Sequence, residues 1–272
     1  MDSFPHPSFK LHLGQQPLLI SLPHVGTEIP LDQQSRFRPE ALQVADTDWH
    51  LEALYAFARE LGASVLVPRY SRYLIDLNRP PENQPMYPGA NNTELCPTRA
   101  FSGESLYREG QPPDDAEVQR RVTQYWQPYH QALSSELQRL HQTHGHAILF
   151  DGHSIKGELP WLFEGSLPDL NLGTASGTSC AASLREQLAQ VLAGQTRYSQ
   201  VVDGRFKGGY ITRHHGQPAH GIHAVQLEMA WRCYMRDDAG ETSLYQIDPQ
   251  RQAGITPVLQ ELLQTLLRWS PP

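Results

Sequence analysis

Short apolar runs that stop at polar residues, or at proline and glycine, constrain the fold of this chain most. They cover residues 18–22, 65–67, 73–77, 146–150 and 222–228. Apolar runs of this length, bounded by turn signals, are typical of buried strands. The sequence therefore predicts a central sheet whose strands end next to polar side chains.

Helical periodicity separates several of these runs. The clearest patterns cover residues 49–61, 114–144, 179–192 and 257–269. We expect the second of them to be broken near Pro128. Strands that alternate with helices favour an α/β sandwich with a largely parallel or mixed sheet. No repeat or linker divides residues 1–272, so one domain is predicted, and the Pro-, Gly- and Asn-rich segment 80–113 is interpreted as an irregular loop that serves as a lid.

The composition argues against several classes of partner. The net charge is −7 and the charges are scattered, so no nucleic acid is expected to bind. No apolar run is long enough to span a membrane. The three cysteines, Cys96, Cys180 and Cys233, are widely spaced, and the N-terminus does not resemble a secretory signal. We therefore expect a cytoplasmic protein with a small-molecule substrate, while its oligomeric state stays open.

Polar residues of the types that catalysis uses follow or end the predicted strands. They are His24, Asn78, Arg79, His153 and Glu228. Because ligands of open α/β sheets bind at the carboxyl ends of the strands, we expect these side chains to share one site.

Two of these residues suit a catalytic zinc ion, which usually takes three ligands from His, Asp and Glu and leaves a fourth position for water. His24 and His153 each come directly after an apolar run, and we select them among the thirteen histidines. Asp48 is the preferred third ligand, with Glu28 as its rival. One zinc ion per chain is expected, although two histidines and a carboxylate also suit iron, cobalt or manganese.

Each candidate ligand also has a purely structural interpretation. A histidine at the end of a strand is more often a hydrogen-bonded core or loop residue than a ligand. Asp48 precedes a predicted helix, where an N-cap contributes about 1 kcal/mol and needs no metal. Asp46 competes with Asp48 for either role. From composition alone, capping is the more frequent role.

Arginines near the predicted strand ends indicate an anion pocket. Arg79 would hold a carboxylate through two hydrogen bonds, and the amide of Asn78 would add a donor. A structural salt bridge explains Arg79 equally well. Arg72 and Arg213 are both candidates for a second carboxylate, and the glycines at 208–209 allow close approach of a ligand or simply a turn. The predicted substrate contacts are Asn78, Arg79, Arg72, Arg213, Gly209 and Thr212.

Glu228 lies inside an apolar run, where a carboxylate is costly unless it is paired, protonated or bound to a metal. If its side chain faces the site, Glu228 is the natural general base for a water molecule activated by zinc. Strand alternation allows the opposite interpretation, a side chain on the solvent face.

Six segments together resemble the N-formylglutamate amidohydrolases, also called formylglutamate deformylases. The resemblance extends from about Leu18 to Met235. Each segment by itself is weak evidence for the resemblance, but the order and spacing of the six are specific to this family. The segments are Ser-Leu-Pro-His-Val-Gly at 21–26, Asp-Thr-Asp-Trp at 46–49, Tyr-Leu-Ile-Asp-Leu-Asn-Arg-Pro at 73–80, Asp-Gly-His-Ser at 151–154, Phe-Lys-Gly-Gly-Tyr-Ile-Thr-Arg at 206–213 and Gln-Leu-Glu at 226–228.

This resemblance implies a fold similar to that of zinc carboxypeptidases and aspartoacylases, a three-layer α/β/α sandwich with a mixed sheet. It implies that Asn78 and Arg79 bind the glutamate part of the substrate and that Glu228 is the general base. The implied reaction is metal-dependent hydrolysis of N-formyl-L-glutamate to formate and L-glutamate, the last step of a histidine degradation route.

One departure affects the metal site. The related hydrolases have a glutamate three residues after the first histidine, where this chain has Thr27. This difference moves the expected third ligand to Asp48 and keeps Glu28 in reserve. Two alternatives stay open: a hydrolase of another N-acyl acidic amino acid or short peptide, and a non-catalytic protein that binds acidic amino acids.

Overall fold

A mixed eight-stranded sheet lies at the centre of the computed structural model, which describes residues 3–6, 8–84, 91–236 and 245–271. The strand order is β1-β2-β4-β3-β5-β8-β6-β7. The strands are β1 (Ser3–His6), β2 (Phe9–His12), β3 (Leu18–Ser21), β4 (Ser64–Pro68), β5 (Ala147–Ile155), β6 (Leu170–Gly173), β7 (Gln200–Val202) and β8 (Ile222–Ala230).

The middle of the sheet is parallel. β4, β3, β5 and β8 run in the same direction, while β2 and β6 pair antiparallel at either side of them. All nine residues of β5 are buried, which is typical of strands covered on both faces. These four strands are the ones that the apolar runs at 18–22, 65–67, 146–150 and 222–228 predicted.

Helices cover both faces of the sheet. They are α1 (Leu31–Gln34), α2 (Leu51–Leu54), α3 (Phe57–Glu60), α4 (Asp115–Arg121), α5 (Gln127–His144), α6 (Ala182–Gly194), α7 (Tyr210–His215) and α8 (Pro249–Arg268). Leu18 and Ile20 of β3 pack in one apolar cluster with α2, α3, α6 and α8, whereas Leu19 packs in a second cluster with α5 and α7. The predicted α/β/α sandwich with a mixed sheet is therefore confirmed.

Several predicted elements differ from the structure. The run at 73–77 is not a strand but an irregular segment whose apolar side chains fill two clusters, Tyr73 and Leu74 in one, Ile75 and Leu77 in the other. The apolar pattern there reflected burial and not an extended backbone.

The helices also differ in their limits. The pattern at 49–61 forms two single-turn helices, α2 and α3, and the last helix begins at Pro249, well before the predicted start. The expected break near Pro128 is confirmed, because a π-helical turn at Val122–Trp126 separates α4 from α5. Six residues of the segment 80–113, namely 85–90, lie outside the described residues. Among the residues described, no helix combines the length and apolar character that crossing a membrane requires.

We expect the buried side chains of the central strand β5 to contribute strongly to the free energy of unfolding. Leu149 in β5 is fully buried, so we expect Leu149→Ala to lower the free energy of unfolding by about 2–5 kcal/mol, since it leaves a cavity. Urea denaturation measures this change. Leu31→Ala is the matched control, because Leu31 is 87% exposed and its change should stay within about 0.5 kcal/mol. Equal effects of the two substitutions would contradict this assignment of the core.

Candidate metal and catalytic site

Three buried side chains converge at the carboxyl end of the parallel strands. His24, Asp48 and His153 each offer one ligand atom, and these atoms lie within 4.8 Å of one another. Nδ1 of His153 is 3.2 Å from Nδ1 of His24 and 3.2 Å from Oδ2 of Asp48. Nδ1 of His24 is 3.7 Å from the same carboxylate oxygen. The three atoms form a triangle of the size that one metal ion occupies.

The sheet brings these residues together. His24 lies in the turn after β3, and His153 lies within β5, which extends to Ile155 and does not end at the predicted position. β3 and β5 are adjacent and in register, Ser21 opposite Asp151. Asp48 reaches the pair from the segment before α2, and its N–H donates to the carbonyl oxygen of His24 at 3.0 Å.

The N-cap interpretation of Asp48 does not hold. α2 has His50 at its N-cap position and no side-chain cap. The carboxylate of Asp48 instead faces the two histidines.

A second pair of carboxylates orients the two imidazoles. Oδ1 of Asp76 is 2.7 Å from Nε2 of His24, and Oδ2 of Asp151 is 3.0 Å from Nε2 of His153. Since an ionised carboxylate only accepts, both Nε2 atoms carry a proton, and each Nδ1 faces the cluster, where a metal ion would take the place of any proton on it. Carboxylates behind histidine ligands are common in metal sites, where they fix the ring and its tautomer.

The charges of the cluster favour a cation. Asp48, Asp76 and Asp151 are all buried. Burial opposes the ionised form of Asp48, yet hydrogen bonds from His153 and His24 lower its pKa to about 2. Burial disfavours a charged His153, yet the carboxylate of Asp151 raises its pKa well above the usual value. Two lone pairs 3.2 Å apart repel unless a proton or a metal ion lies between them, so this donor set fits a divalent cation.

The irregular segment that contains Asp76 also carries the predicted anion-binding residues. Nη2 of Arg72 donates to Oδ2 of Asp76 at 2.6 Å, and its guanidinium lies over the ring of Phe101 at 4.5 Å. Arg79 donates to both oxygens of Thr93 through Nε and Nη2. Both arginines are therefore held in place by the protein.

Asn78 is oriented by contacts on both sides. Its Oδ1 accepts from the N–H of Ile211 at 2.8 Å, and its Nδ2 lies 3.4 Å from Oδ2 of Asp151 and 3.0 Å from Nε2 of His153. A Cβ atom on Gly209 would approach the amide of Asn78 to 2.3–2.5 Å, so this position requires glycine. The amide nitrogen of Asn78 thus lies beside the imidazole of His153 and the carboxylate of Asp151.

Glu228 faces the site and not the solvent. It lies opposite His153 in the β5–β8 register, and its side chain is buried at the cleft. Burial raises the pKa of Glu228 to about 8, while the charge of His153 acts in the opposite direction and that of Asp48 adds to the increase. Gln226 lies on the same face two positions earlier and accepts from the N–H of Gly209 at 2.8 Å. A carboxylate with a raised pKa beside a cation site has the properties of a general base.

One narrow cleft of about 60 Å³ lies beside the histidine cluster. It is lined by His24, Arg72, Asn78, Arg79, Asn91, Asn92, Phe101, His153, Ile155, Leu162, Arg205, Phe206, Gly209, Gln226 and Glu228.

Four predicted site residues lie elsewhere. Glu28, the reserve ligand, is about half exposed and forms a surface ion pair with Arg69 at 2.8 Å. Asp46 accepts from the N–H of Phe101 and is not part of the histidine cluster. Arg213 is exposed and donates to the carbonyl oxygen of Gly208, and Thr212 is fully buried outside the cleft. Both belong to α7, a helix that the sequence interpretation missed.

Other lining residues were missed by the sequence interpretation. Phe101, Ile155, Leu162, Arg205 and Phe206 contribute an apolar wall and a third arginine. The place of Ile155 in the cleft could have been predicted from the sequence. It follows Asp151 and His153 with the period of two that places side chains on one face of a strand. Phe206 lies in a quoted motif, and Arg205 directly precedes that motif.

A buried histidine pair supports the segment that carries Asn78. Nε2 of His130 is 2.9 Å from the carbonyl oxygen of Leu77, so this nitrogen carries the proton. Nδ1 of His130 then accepts from Nε2 of His215 at 3.2 Å, which joins α5 to α7. Burial lowers the pKa of His130 to about 3 and that of His215 to about 2, and the neighbouring His214 adds to both shifts.

The histidine pair predicts a pH dependence of stability. Because both folded pKa values lie below the usual value of about 6.5, the unfolded chain binds more protons below that pH, and stability falls as the pH falls from about 7 to 5. His215→Gln keeps a donor but cannot be protonated, so we expect its loss of stability over this range to be about 1–2 kcal/mol smaller than that of the original chain.

Urea denaturation at pH 7 and pH 5 measures the difference. The substitution His220→Gln at an exposed histidine is the control and should leave the pH dependence unchanged. If His215→Gln and the original chain lost equal stability between pH 7 and pH 5, the buried pair would not contribute as argued.

Known proteins are similar to this chain over most of its length. A sequence model of the N-formylglutamate amidohydrolase family matches residues 16–235, which include the histidine cluster and Glu228. The N-formylglutamate deformylase of Pseudomonas putida is 49% identical over 258 residues, covering 95% of this chain and 95% of that protein. The N-formylglutamate deformylase of Pseudomonas aeruginosa is 46% identical over 256 residues, covering 94% of each.

A solved structure is similar over nearly the whole chain. The crystal structure of N-formylglutamate amidohydrolase from Ralstonia eutropha JMP134 superimposes with a TM-score of 0.76 at 26% identity, covering 96% of this chain and 98% of that one.

Proposed function

The chain belongs to the N-formylglutamate amidohydrolase family, and from this premise we propose that it hydrolyses N-formyl-L-glutamate to formate and L-glutamate with a zinc ion bound at the histidine cluster. The observation that carries the proposal is the convergence of His24, Asp48 and His153, since the two histidines line one narrow cleft together with Glu228. We further propose that residues 1–272 act as one amidohydrolase domain and catalyse the last step of a histidine degradation route.

His24, Asp48 and His153 would hold the metal, one ion per chain. Asp76 and Asp151 fix the rings of the two histidines and supply the negative charge that a cation needs. When bound, a zinc ion polarises the formyl oxygen and lowers the pKa of a water molecule, which makes hydrolysis possible near neutral pH. Two histidines and a carboxylate match the ligand set of catalytic zinc sites with an open position.

The residues of the cleft perform the remaining steps. Arg79 and Arg72 place positive charge where the substrate carboxylate binds, and the rigid contacts of Arg79 to Thr93 keep it in position. The carboxylate of Glu228 accepts a proton from the attacking water and transfers it to the nitrogen of the leaving amine. A cation in the cluster would favour the ionised form of Glu228. It would therefore lower the pKa of Glu228 from about 8 towards the pH at which the enzyme works.

The first test is formate release from N-formyl-L-glutamate by the purified protein, beside N-acetyl-L-aspartate and N-acetyl-L-glutamate. We expect turnover of the formyl compound, loss of activity after chelation, and recovery when zinc is returned, with about one zinc ion per chain by elemental analysis. The acetyl compounds are necessary because one methyl group changes transition-state binding by only about 1–3 kcal/mol.

The possible results separate the parts of the proposal. Turnover that is unaffected by chelation would contradict the zinc mechanism but not the proposed substrate. Turnover of an acetyl compound with no formate release would contradict the proposed substrate but not the proposed metal site. Absence of turnover on all three compounds, with tight binding of acidic amino acids, would indicate a binding protein.

The role of Glu228 is tested by Glu228→Gln, which keeps the shape of the side chain and removes the base. We expect kcat to fall by about 10²–10⁴-fold while zinc remains bound, because general base catalysis contributes effects of this size. Gln187→Glu, on the outer part of α6, is the control. It replaces an amide by a carboxylate, the reverse of Glu228→Gln, and should keep full activity. Full activity of Glu228→Gln would assign the base to another group.

The thiols bear on the proposed cellular location. Cys96, Cys180 and Cys233 are all buried, and none of them forms a disulfide bond. Buried thiols outside disulfide bonds are typical of proteins in reducing compartments, and they support our proposal of a cytoplasmic enzyme. The lid role of the segment 80–113 also stays a proposal, supported by Asn91 and Asn92, which line the cleft.

A further inference from the structure

The three proposed metal ligands are held in place by different means. His24 and His153 each have a carboxylate behind the imidazole, and the pairing of β3 with β5 fixes their spacing. Asp48 lies outside the sheet, in the irregular stretch of residues 44–50 before α2, which we call the Asp48 segment. The contacts of this segment therefore decide whether the carboxylate stays beside the histidines.

The backbone of the Asp48 segment is strained at both ends. Val44 and His50 have φ angles of 46° and 63°, in the left-handed region that residues other than glycine rarely adopt. Such conformations persist where the surrounding structure holds them. Within the segment, the N–H and the hydroxyl of Thr47 donate to the carbonyl oxygen of Val44, which closes only a local turn. Contacts from other parts of the fold must therefore keep the segment in this shape.

One buried hydroxyl provides such a contact. The hydroxyl of Tyr234 donates to the carbonyl oxygen of Trp49 at 2.8 Å, and the hydroxyl of Ser154 is 2.7 Å from the same tyrosine oxygen. Because Tyr234 uses its proton for Trp49, Ser154 is the donor in the second bond. Trp49 directly follows Asp48, and Ser154 directly follows His153. The hydroxyl thus joins the chain next to one ligand to the chain next to another.

Tyr234 is itself held firmly in the fold. Its side chain is fully buried in the apolar cluster that contains α8, just beyond the end of β8. Its N–H donates to the carbonyl oxygen of Trp231, and its carbonyl oxygen accepts from the N–H of Asp248, both at 3.0 Å. Burial raises the pKa of the Tyr234 hydroxyl well above its usual value of about 10, so the group remains a donor.

The bridge formed by Tyr234 lies behind the site. Since side chains alternate along a strand, Ser154 points to the face of β5 opposite that of His153. Of the residues that the structure describes, those lining the cleft do not include Tyr234, Ser154 or Trp49. A substrate in the cleft would not contact the bridge, so any effect of the bridge on the site must pass through Asp48.

We propose that Tyr234 is a positioning residue of the metal site. Its hydroxyl holds the carboxylate of Asp48 at 3.2 Å from Nδ1 of His153, a separation at which both atoms can bind one cation. This inference rests on the proposed function and adds to it a residue outside the cleft. Loss of the hydroxyl should therefore weaken the binding of the metal and leave the binding of the substrate unchanged.

The first test is Tyr234→Phe, which removes the hydroxyl and keeps the ring. We expect the dissociation constant for zinc to rise about 10–100-fold, the usual effect of losing a group that orients a metal ligand. Competition with a chromophoric chelator of known affinity measures this constant. At saturating zinc, KM for N-formyl-L-glutamate should stay within about twofold of the original, because no contact with the substrate is lost.

Tyr55→Phe is the matched control. Tyr55 is buried in the same apolar cluster, and its hydroxyl has no hydrogen-bond partner among the residues that the structure describes. Its zinc affinity should equal that of the original chain, and urea denaturation of the metal-free proteins shows whether both variants are folded. If folded Tyr234→Phe also bound zinc with the original affinity, the hydroxyl would serve only stability and the inference would be wrong.

A double substitution tests whether the effect passes through Asp48. In Asp48→Ala the carboxylate is absent, so adding Tyr234→Phe should change the remaining zinc affinity by less than about twofold. A further loss as large as that in the original chain would show that Tyr234 acts by another route, against the inference.

Failure of the proposed function gives a different result. If the original chain binds no zinc, amide hydrogen exchange of the metal-free protein decides the role of Tyr234 separately. The N–H of Asp48 donates to the carbonyl oxygen of His24 at 3.0 Å. It should exchange about 5–10-fold faster in Tyr234→Phe than in the original chain or in Tyr55→Phe, because the segment opens more easily. Equal exchange rates of this amide in all three proteins would overturn the inference.

Discussion

The hydrogen bond between Oδ1 of Asp76 and Nε2 of His24, 2.7 Å long, constrains much of this site. It sets the tautomer of His24 and points Nδ1 towards Asp48 and His153. The bond from Asp151 does the same for His153 from the other side. Without these two carboxylates the imidazoles would rotate and exchange tautomers, and no fixed group of lone pairs would face one point.

A fully buried carboxylate such as Asp76 is costly unless its oxygens are satisfied. Here Oδ1 also accepts from the N–H of Asn78 at 2.8 Å, and Oδ2 accepts from Arg72. Two contacts hold the backbone of the same segment. The N–H of Asp76 donates to the carbonyl oxygen of Leu95, and His130, which pairs with His215, donates to the carbonyl oxygen of Leu77. The contacts that satisfy the buried charge therefore also position the groups that line the cleft, so stability and function depend on the same segment.

The register of β5 and β8 places Glu228, the proposed base, beside His153, a proposed metal ligand. His153 and Glu228 are opposite each other, as are Asp151 and Gln226. Since side chains alternate along a strand, all four share the face that opens into the cleft. The apolar residue Ile155 continues this face and begins the wall on the side of Arg205. His153, Glu228 and the first residue of the apolar wall are thus arranged along two neighbouring strands.

The sequence by itself predicted the central strands of the sheet, since the short and mainly apolar runs at 18–22, 65–67, 146–150 and 222–228 are typical of buried strands. It also identified His24, His153 and Glu228, because polar residues at the ends of buried strands are few. The motif at 73–80 was informative, although its apolar side chains belong to an irregular segment and not to a strand.

Only the tertiary structure decided which carboxylate faces the histidines. The sequence favoured Asp48 and kept Glu28 in reserve, and the structure turns Asp48 towards the histidines and leaves Glu28 on the surface beside Arg69. Arg205 directly precedes the motif at 206–213, but only the fold shows that it lines the cleft, because it lies in the loop after β7 at the far side of the sheet. Periodicity reports whether a residue is buried, whereas the convergence of distant side chains depends on how loops pack over the sheet.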